Sequence, residues 1–473
     1  MIRNRDELVG ADDPDATRAL ALDCIAAGIR AADPHRVVAE AVEVRDDTLT
    51  VAEESYDLDE YESVVVLGGG KAAVGVAAAI ETALGDRIDR GVVVTDDPES
   101  RTDADAPALD RVTVRAGDHP VPSERGVAAT RRVLDLADAA DESTLVLAVV
   151  TGGASALLPA PADDLSLADL RETTEALLAS GATIGDLNAV RKHCSALKGG
   201  RLAERASPAT VVGLAISDVV GDDPSTVASG PLSPDDTTFA DARRVVDRYE
   251  TGPPAAIRAR LDRGARGEVS ETPTAGDPAF EQVSVHVVAS ATTALDAAAE
   301  VARERGFDPL VVSSRIRGEA REAAKTHAAI AEEVRATGQP VDPPAVLLSG
   351  GETTVTVRGD GDGGPNLEFG LSWALDLDAD PDADLALASV DTDGSDGATE
   401  VAGALVGPET VVAREAVAPG KRRLSAETAR DALADSDSLG ALADAGCAIR
   451  TGPTGTNVND LRVLVVGDPA ETE

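Results

Sequence analysis

The chain has few aromatic residues and few cysteines, and both shortages limit what it can be. Aromatic residues make up 2% of the 473 positions, so Ala, Val and Leu must fill the cores. The three cysteines, Cys24, Cys194 and Cys447, lie far apart and lack the spacing of a metal site. We therefore expect them to be small buried side chains rather than metal ligands.

Basic residues and long apolar runs are scarce as well. The chain has 43 basic residues against 85 acidic ones, and its formal charge of −42 argues against nucleic-acid or anionic-membrane partners. No apolar run reaches the ~18 residues that span a bilayer, and the acidic amino terminus is unlike a signal peptide. We expect a cytoplasmic monomer or homodimer that acts on a small molecule.

Lysine is the rarest of the charged residues. Only five of the 43 basic residues are lysines, at positions 71, 192, 198, 325 and 421. An acidic, lysine-poor surface indicates adaptation to high salt, where the Debye length falls to about 3 Å at 1 M and self-repulsion is screened. Desalting should then abolish the circular-dichroism signal, whereas a fold unchanged in dilute buffer would contradict the adaptation.

The length and the order of apolar runs predict two α/β domains. A chain of 473 residues is too long for one ordinary core, and strand-like runs alternate with helical patterns along most of it. Residues 241–282 are acidic and rich in Pro, Gly and Arg, which is typical of a domain connection. We expect domains at residues 1–240 and 283–473, with a parallel sheet in the first.

A glycine turn follows the first strong strand pattern, at residues 61–67. It reads Gly68-Gly-Gly-Lys-Ala-Ala and opens a helix, so its backbone N–H groups are expected to be free for an anion, with Lys71 adding charge. Gly68, Gly70 and Ala73 also fit the loose dinucleotide pattern, and Asp96 follows the next strand. Lys71 suits a phosphate or a carboxylate better than a dinucleotide, and a purely structural turn is the third interpretation.

Two further strands of the first domain end in candidate ligand loops. Residues 144–150 lead into Thr151-Gly-Gly-Ala-Ser155, and residues 211–216 lead into Ser217-Asp218. Open α/β sheets bind ligands at the carboxyl ends of their strands. Lys192 and Lys198 lie between these strands near a glycine pair. His119, in a loop stiffened by two prolines, is expected to line the site rather than to transfer protons.

The second half of the chain carries carboxylates at strand ends. Ser349-Gly-Gly-Glu-Thr-Thr354 and Asp391-Thr-Asp-Gly-Ser-Asp-Gly397 both follow apolar runs. An EF-hand is excluded, because Asp396 and Ala402 stand where glycine and glutamate are required. Mg²⁺ fits better, since it takes one or two carboxylates, although an N-capping Asp cluster is the alternative. The loop at residues 451–460 could hold phosphate oxygens or form a tight connection.

These parts match the needs of phosphoryl transfer. That reaction depends on positioning and on neutralising the charge of the transferred group, which cationic loops, glycine loops and metal-binding carboxylates supply. The sequence has neither a Walker motif nor the protein-kinase motif set.

Ten motifs in one order extend over nearly the whole chain and together resemble the class II glycerate kinases, also called the MOFRL family. They are Gly68-Gly-Gly-Lys-Ala-Ala, His119-Pro-Val-Pro, Thr151-Gly-Gly-Ala-Ser-Ala-Leu157, Asn188-Ala-Val-Arg-Lys-His, Leu197-Lys-Gly-Gly-Arg-Leu202, Ser217-Asp-Val-Val-Gly-Asp222, Ala228-Ser-Gly-Pro231, Ser349-Gly-Gly-Glu-Thr-Thr354, Asp391-Thr-Asp-Gly394 and Thr454-Gly-Thr-Asn457. The resemblance implies a Rossmann-like N-terminal domain, a smaller α/β C-terminal MOFRL domain and an active site in the cleft between them. It also implies transfer of the ATP γ-phosphate to D-glycerate with Mg²⁺. The salt-adapted composition favours the 2-phosphoglycerate product of archaeal-type members.

The resemblance also implies roles for single residues. Lys71, Lys192 and Asp218 would be catalytic, with Asp218 as general base on the glycerate hydroxyl. The substrate contacts would come from Gly70, His119, Gly152, Gly153, Ser155 and Lys198. The nucleotide contacts would come from Gly350, Gly351, Glu352, Thr353 and Asn457. Asp391 and Asp393 would bind the metal.

One motif departs from the family, and two other functions compete with the kinase. Where members usually read Gly-Gly-Arg-Asn-Gln-Glu, this chain has Gly363-Gly-Pro-Asn-Leu-Glu368, and Pro365 cannot replace a bidentate arginine. Arg315 or Arg317 could supply the contact, or the substrate preference differs. The competing functions are an NAD(P)H-dependent hydroxypyruvate reductase that uses the first glycine turn and a non-enzymatic regulator that binds sugar phosphates.

Overall fold

The computed structural model describes residues 1–10, 15–98, 109–412 and 423–468. The chain divides into two compact units. Asp33–Ala289 form the first, called here the parallel-sheet unit. Met1–Ala32 and Ser290–Glu473 form the second, called here the mixed-sheet unit.

Helices and strands are numbered in chain order. The helices are α1 (Arg5–Val9), α2 (Ala16–Ala31), α3 (Pro34–Ala41), α4 (Ala73–Leu84), α5 (Glu124–Asp138), α6 (Ala154–Leu157), α7 (Leu167–Ala179), α8 (Ile184–His193), α9 (Arg201–Ala206), α10 (Phe239–Arg248), α11 (Ala255–Ala265), α12 (Ala291–Glu304), α13 (Ala320–Thr337), α14 (Pro365–Asp376), α15 (Ala426–Asp435) and α16 (Ser438–Asp444). The strands are β1 (Val42–Arg45), β2 (Thr48–Val51), β3 (Glu54–Asp57), β4 (Ser63–Gly69), β5 (Arg90–Thr95), β6 (Val112–Ala116), β7 (Thr144–Thr151), β8 (Thr210–Ile216), β9 (Val283–Ala289), β10 (Asp308–Glu319), β11 (Ala345–Thr354), β12 (Leu385–Asp391), β13 (Gly403–Val406), β14 (Val411–Val412), β15 (Leu424–Ser425), β16 (Ala448–Ile449) and β17 (Asp460–Val466).

The parallel-sheet unit is built on six parallel strands in the order β6-β5-β4-β7-β8-β9. Every residue of β7 is buried, as expected for a central strand covered on both faces. Counted along the chain, the order is 3-2-1-4-5-6, which is the doubly wound dinucleotide-fold order. The predicted Rossmann-like domain with a parallel sheet is therefore confirmed. The strand order reverses between β4 and β7, where such folds bind their ligands.

The segment predicted to connect two domains lies inside the parallel-sheet unit. Helices α10 and α11 pack with α7 and α8 around a core that includes Val190, Phe239 and Ile257. Strand β9 then joins the same sheet, with Val283 opposite Val211. The domains therefore differ from the predicted division at residues 240 and 282. Composition marks this segment as polar, but its apolar residues at helical spacing still form a core.

The mixed-sheet unit contains the other six-stranded sheet, in the order β10-β11-β17-β12-β13-β16. Strands β10 and β11 run parallel, and every other neighbouring pair is antiparallel. The last strand, β17, therefore lies between β11 and β12. Helix α2, from the start of the chain, packs on β12, β17 and α12. The predicted α/β fold of the C-terminal part is confirmed, but it also includes this N-terminal helix.

The rare large side chains and the cysteines are used in the interior. Trp373 and Phe369 of α14 are fully buried in the core of the mixed-sheet unit. Cys24, Cys194 and Cys447 are also buried, as predicted, and burial raises the pKa of the Cys24 and Cys194 thiols to about 12. In the described part of the chain, no helix has the length and apolar character needed to cross a membrane.

Candidate active site

The loops after β4 and β7 are joined directly at the point where the strand order reverses. Gly70 has φ +135°, and a Cβ there would lie 2.1 Å from Thr151 Oγ1, so no larger residue fits. Lys71 N donates to Gly152 O at 2.8 Å, and Ala72 N donates to Thr151 Oγ1 at 3.2 Å. The two glycine loops therefore form one rigid platform.

The hydrogen bonds of this platform correct one expectation. Gly70 N donates to Val94 O at 2.9 Å, and Ala73 N donates to Gly70 O at 3.2 Å. The backbone N–H groups of residues 70–73 all have acceptors within the protein, so they are not free for an anion. An anion here would depend on the side chain of Lys71 instead.

Four predicted site residues meet at this platform. A Cβ on Gly153, which has φ +79°, would lie 3.1 Å from Lys71 Cγ and 3.2 Å from His119 Cδ2. Gly153 N donates to Asp218 Oδ2 at 3.2 Å. The ends of β4, β7 and β8 and the loop after β6 thus bring the side chains of Lys71, Asp218 and His119 together around one glycine.

The surroundings of Asp218 suit a general base. Burial raises the pKa of its carboxyl above the usual 3.8, while the N–H groups of Asp218 and Gly153 and the charge of Lys71 oppose the rise. A carboxylate with a raised pKa accepts a proton more readily than an exposed one. The charge of Lys71 lowers this pKa, so the Asp218 carboxylate stays ionised to lower pH.

The two other lysines predicted at the site lie in the interior. Lys192 Nζ lies 3.1 Å from Asp235 Oδ1, with side chains 8% and 0% exposed, so its charge is balanced there. Lys198 Nζ lies 3.4 Å from Leu158 O, and burial, helped by the charge of Arg191, lowers its pKa to about 7. The Lys198 contact supports the segment that follows β7, while the predicted catalytic role of Lys192 and the predicted substrate contact of Lys198 stay predictions.

Ser155, another residue of the predicted substrate group, belongs to a short hydrogen-bonded chain. Its Oγ lies 2.9 Å from Ser229 Oγ, and Ser229 Oγ donates to Asn188 Oδ1 at 2.9 Å. Sequence reasoning gave no role to Ser229 or Asn188, although both lie in motifs that carry the family resemblance. Both side chains are buried, at 0% and 6% exposure, and that burial cannot be read from the sequence alone.

In the mixed-sheet unit, strand register brings the predicted nucleotide loop and the predicted metal loop side by side. Gly351 is opposite Asp460 across β11 and β17, and Asp460 is opposite Asp391 across β17 and β12. Thr353 N donates to Asp460 Oδ2 at 3.1 Å, while Glu352 is exposed. Asp460 lies at the centre of this arrangement, yet sequence reasoning gave it no role.

A buried polar network lies behind these loops. Asn366 Nδ2 donates to Asp460 Oδ1 at 2.6 Å, and Arg462 pairs with the other oxygen of Asp460. The Arg462 guanidinium also lies 4.6 Å from the centre of the Phe369 ring. Asp460 is 5% exposed and Arg462 1%, so the pair is desolvated. We therefore regard it as a support for the loops rather than a group that meets a ligand.

Asp396, part of the predicted metal-loop sequence, caps a helix instead. Its two oxygens accept from the backbone N–H groups of Asn366 and Leu367, at 2.9 and 2.7 Å, in the first turn of α14. Burial, with a smaller effect from the charge of Asp460, raises its pKa to about 7. The N-capping alternative thus describes Asp396. Pro365 begins the same helix, at a position where the missing N–H leaves no bond unmade.

The two predicted metal ligands shape their own loop. Asp391 Oδ1 accepts from Asp393 N at 3.0 Å, and Asp393 Oδ1 accepts from Ser395 N at 2.8 Å. Thr454 N donates to Asp393 O at 3.1 Å, which ties this loop to the one that contains Asn457. Within the described ranges, no group of three His, Cys, Asp or Glu side chains could hold a metal ion. The oxygen donors present suit Mg²⁺, which needs only one or two carboxylates.

The replacement for the missing family arginine has a candidate position. Arg317 on β10 is the register partner of Glu352 on β11, and both Arg317 and Arg315 are exposed. An exposed guanidinium therefore stands beside the strand-end glycine loop, where Pro365 cannot donate.

The fold and the two groups of strand-end loops define a two-domain α/β protein with ligand loops in each domain. The family described as "Domain of unknown function (DUF4147)" matches residues 20–262, and the MOFRL family matches residues 345–460. The first matched segment includes strands β1 to β8, and the second includes strands β11 to β16.

Individual relatives agree with these matches over most of their length. A "Glycerate 2-kinase" from Pyrococcus horikoshii is 37% identical over 95% of this chain and 97% of its own. A "Putative hydroxypyruvate reductase" from Agrobacterium vitis is 43% identical over 85% of this chain and 99% of its own. The crystal structure of a glycerate kinase from Thermotoga maritima covers 96% of this chain and 100% of its own, with a TM-score of 0.79 and 35% identity. The chain belongs to the class II glycerate kinase family, also called the MOFRL family.

Proposed function

We propose that the protein is a glycerate 2-kinase that transfers the γ-phosphate of ATP to D-glycerate with Mg²⁺ and forms 2-phosphoglycerate. The observation that carries the proposal is the meeting of Lys71 and Asp218 around Gly153 at the sheet's switch point. A lysine beside a carboxylate of raised pKa supplies charge stabilisation and a base for one hydroxyl.

Each unit has its own part in this reaction. In the parallel-sheet unit, Asp218 accepts the hydroxyl proton of glycerate, and Lys71 stabilises negative charge on the transferred group. His119 and the loop with Gly152, Gly153 and Ser155 bind the substrate. These roles need no backbone N–H from residues 70–73, whose hydrogen bonds are already made.

The mixed-sheet unit would bind the nucleotide. The end of strand β11 offers Gly350, Gly351 and Thr353, with Glu352 exposed and Asn457 on a neighbouring loop. Asp391 and Asp393 would hold Mg²⁺, which neutralises phosphate charge when it is bound. The carboxylate of Asp460 orders this loop through Thr353 N.

Relatives and composition support the proposed position of the transferred phosphate. The Pyrococcus horikoshii relative is named a glycerate 2-kinase, and this chain carries a charge of −42 with only five lysines. We also propose that the enzyme works at high ionic strength, so its assays need molar salt.

The hydroxypyruvate reductase named among the relatives is the second candidate. A dinucleotide fold binds pyrophosphate through backbone N–H groups at the first glycine turn. Here the N–H groups of residues 70–73 donate to Val94, Gly152, Thr151 and Gly70. That bonding favours the kinase over a nicotinamide enzyme.

Phosphorus NMR tests the proposal. The enzyme, ATP, Mg²⁺ and D-glycerate should give the resonance of 2-phosphoglycerate together with ADP. A 3-phosphoglycerate resonance would overturn the regiochemistry alone. Oxidation of NADH by hydroxypyruvate, without ADP formation from glycerate, would overturn the kinase.

A further inference from the structure

Three side chains next to the candidate base form a hydrogen-bonded line with a definite direction. Ser229 Oγ donates to Asn188 Oδ1 at 2.9 Å, and Ser155 Oγ lies 2.9 Å from Ser229 Oγ. A hydroxyl carries one hydrogen and two lone pairs. Because Ser229 donates its one hydroxyl hydrogen to Asn188, Ser155 must donate its own hydrogen to Ser229. Ser155 then has only acceptor lone pairs left for a ligand.

Burial shows which member of this line a ligand can reach. Ser229 is 0% exposed and Asn188 6%, whereas Ser155 is only partly buried. Ser155 lies two residues after Gly153, whose N–H donates to Asp218. The accessible oxygen therefore belongs to the loop whose Gly153 N–H donates to the candidate base, and its hydrogen is directed into the protein.

The backbone at Ser229 is held in an unusual conformation. Ala228 has φ +54°, Ser229 φ +63° and Gly230 φ +62°, so two residues with side chains lie in the left-handed region. Such a conformation is unfavourable for residues with a side chain and is kept only where the surroundings stabilise it. It places the Ser229 hydroxyl between Ser155 and Asn188.

We propose that Ser229 and Asn188 are positioning residues that fix Ser155 as a hydrogen-bond acceptor, so that Ser155 selects a hydroxyl of the substrate. A carboxylate is itself only an acceptor and would be repelled there. The family resemblance implied a substrate contact for Ser155, and this assignment gives that contact its direction. It rests on the proposed function in taking glycerate as the ligand.

Binding of deoxy analogues tests the assignment. Isothermal titration without nucleotide would compare D-glycerate with D-lactate, which lacks the 3-hydroxyl, and with 3-hydroxypropionate, which lacks the 2-hydroxyl. The wild type should bind one of these analogues about 5- to 10-fold more weakly than glycerate, the usual effect of one lost hydrogen bond. Ser155→Ala should bring that ratio to within about 2-fold, because the acceptor is gone.

The positioning role needs two further variants. Ser229→Ala leaves the Ser155 hydroxyl able to rotate and donate, so the ratio should again fall to within about 2-fold. Asn188→Asp should keep the wild-type ratio, because a carboxylate oxygen accepts the same bond from Ser229. Melting curves and circular dichroism would confirm that each variant is folded, and the Ser155→Ala result decides the case if Ser229→Ala does not fold.

Three results would overturn the assignment. They are an unchanged ratio in folded Ser155→Ala or Ser229→Ala, a lost ratio in folded Asn188→Asp, and no binding of glycerate at all. Loss in Asn188→Asp would mean that the Asn188 amide donates and that the line runs in the opposite direction. Selective glycerate binding without phosphoryl transfer would overturn the kinase proposal alone.

Discussion

Both units carry aspartates near the ends of their sheet strands, but these aspartates differ in burial. In the parallel-sheet unit, Asp218 stays partly exposed, bonds the N–H of Gly153 and lies within the electrostatic reach of Lys71. In the mixed-sheet unit, Asp460 and Asp396 are buried and accept several hydrogen bonds each. Asp218 follows β8, Asp460 begins β17 and Asp396 lies in the loop after β12, and the degree of burial separates the candidate base from the two structural supports.

The largest effect is expected in the mixed-sheet unit. Asp460→Ala leaves Arg462 buried without its counter-charge, which should lower the free energy of unfolding by about 3–5 kcal/mol. Denaturant titration at constant salt measures it. Glu322→Ala, which removes an exposed pair with Lys325, is the matched control and should change stability by less than about 1 kcal/mol. Equal effects of the two substitutions would remove the distinction between buried and exposed carboxylates.

For Lys71 we expect a loss of activity without a loss of stability. Lys71→Met should reduce turnover of glycerate at least ~100-fold while the melting temperature stays close to that of the wild type, because charge stabilisation is lost and the fold is not. Lys325→Met is the control, since Lys325 is an exposed lysine paired with Glu322 on α13. Near-normal turnover of Lys71→Met would remove this lysine from the mechanism.

The pH dependence of activity should report Asp218. A general base must be ionised, so kcat/KM should fall as pH drops through the pKa of Asp218, which burial places above 3.8. The charge of Lys71 lowers this pKa, so the acid limb of residual activity in Lys71→Met should lie at higher pH than in the wild type. An acid limb at the same pH in both enzymes would show that Lys71 does not influence the ionisation of Asp218.

The pH dependence of stability should report Asp396. Its folded pKa of about 7 exceeds the ordinary 3.8, so the folded state holds more protons between these values, and stability falls as pH rises through that window. Asp396→Asn cannot titrate there. The unfolding free energy of this variant relative to the wild type should therefore rise between pH 5 and pH 8, and a constant difference would show that Asp396 does not titrate in that range.

Much of the fold was predictable from local patterns. Strands β7 and β8 lie within one residue of their predicted positions, because long apolar runs between turn residues are strong signals. The places of β9 in the parallel sheet and of α2 in the mixed-sheet unit were not predictable. The pairing of β9 with β8 and the packing of α2 on β17 depend on contacts between residues far apart in the sequence. The short strands β1 to β3 carry too little pattern to stand out.

The candidate site likewise contains residues that the sequence could predict and residues that it could not. Lys71, His119, Gly153 and Asp218 were recognisable because strand ends of a parallel sheet share one edge. The supporting side chains, Asp460, Asn366 and Ser229, were not, because a buried polar residue declares its role only through its partners. Lys192 shows the reverse, since a scarce charged residue suggested contact with substrate and the structure pairs it with Asp235.

The most direct test of the contrast between the units is a single-turnover experiment on Asp218→Asn. With enzyme in excess over ATP and D-glycerate, the variant should bind glycerate within about 3-fold of the wild type but form phosphoglycerate at least ~100-fold more slowly, since it lacks the base. A transfer rate close to that of the wild type would contradict the role of Asp218 and, with it, the assignment of the chemistry to the switch point of the parallel sheet.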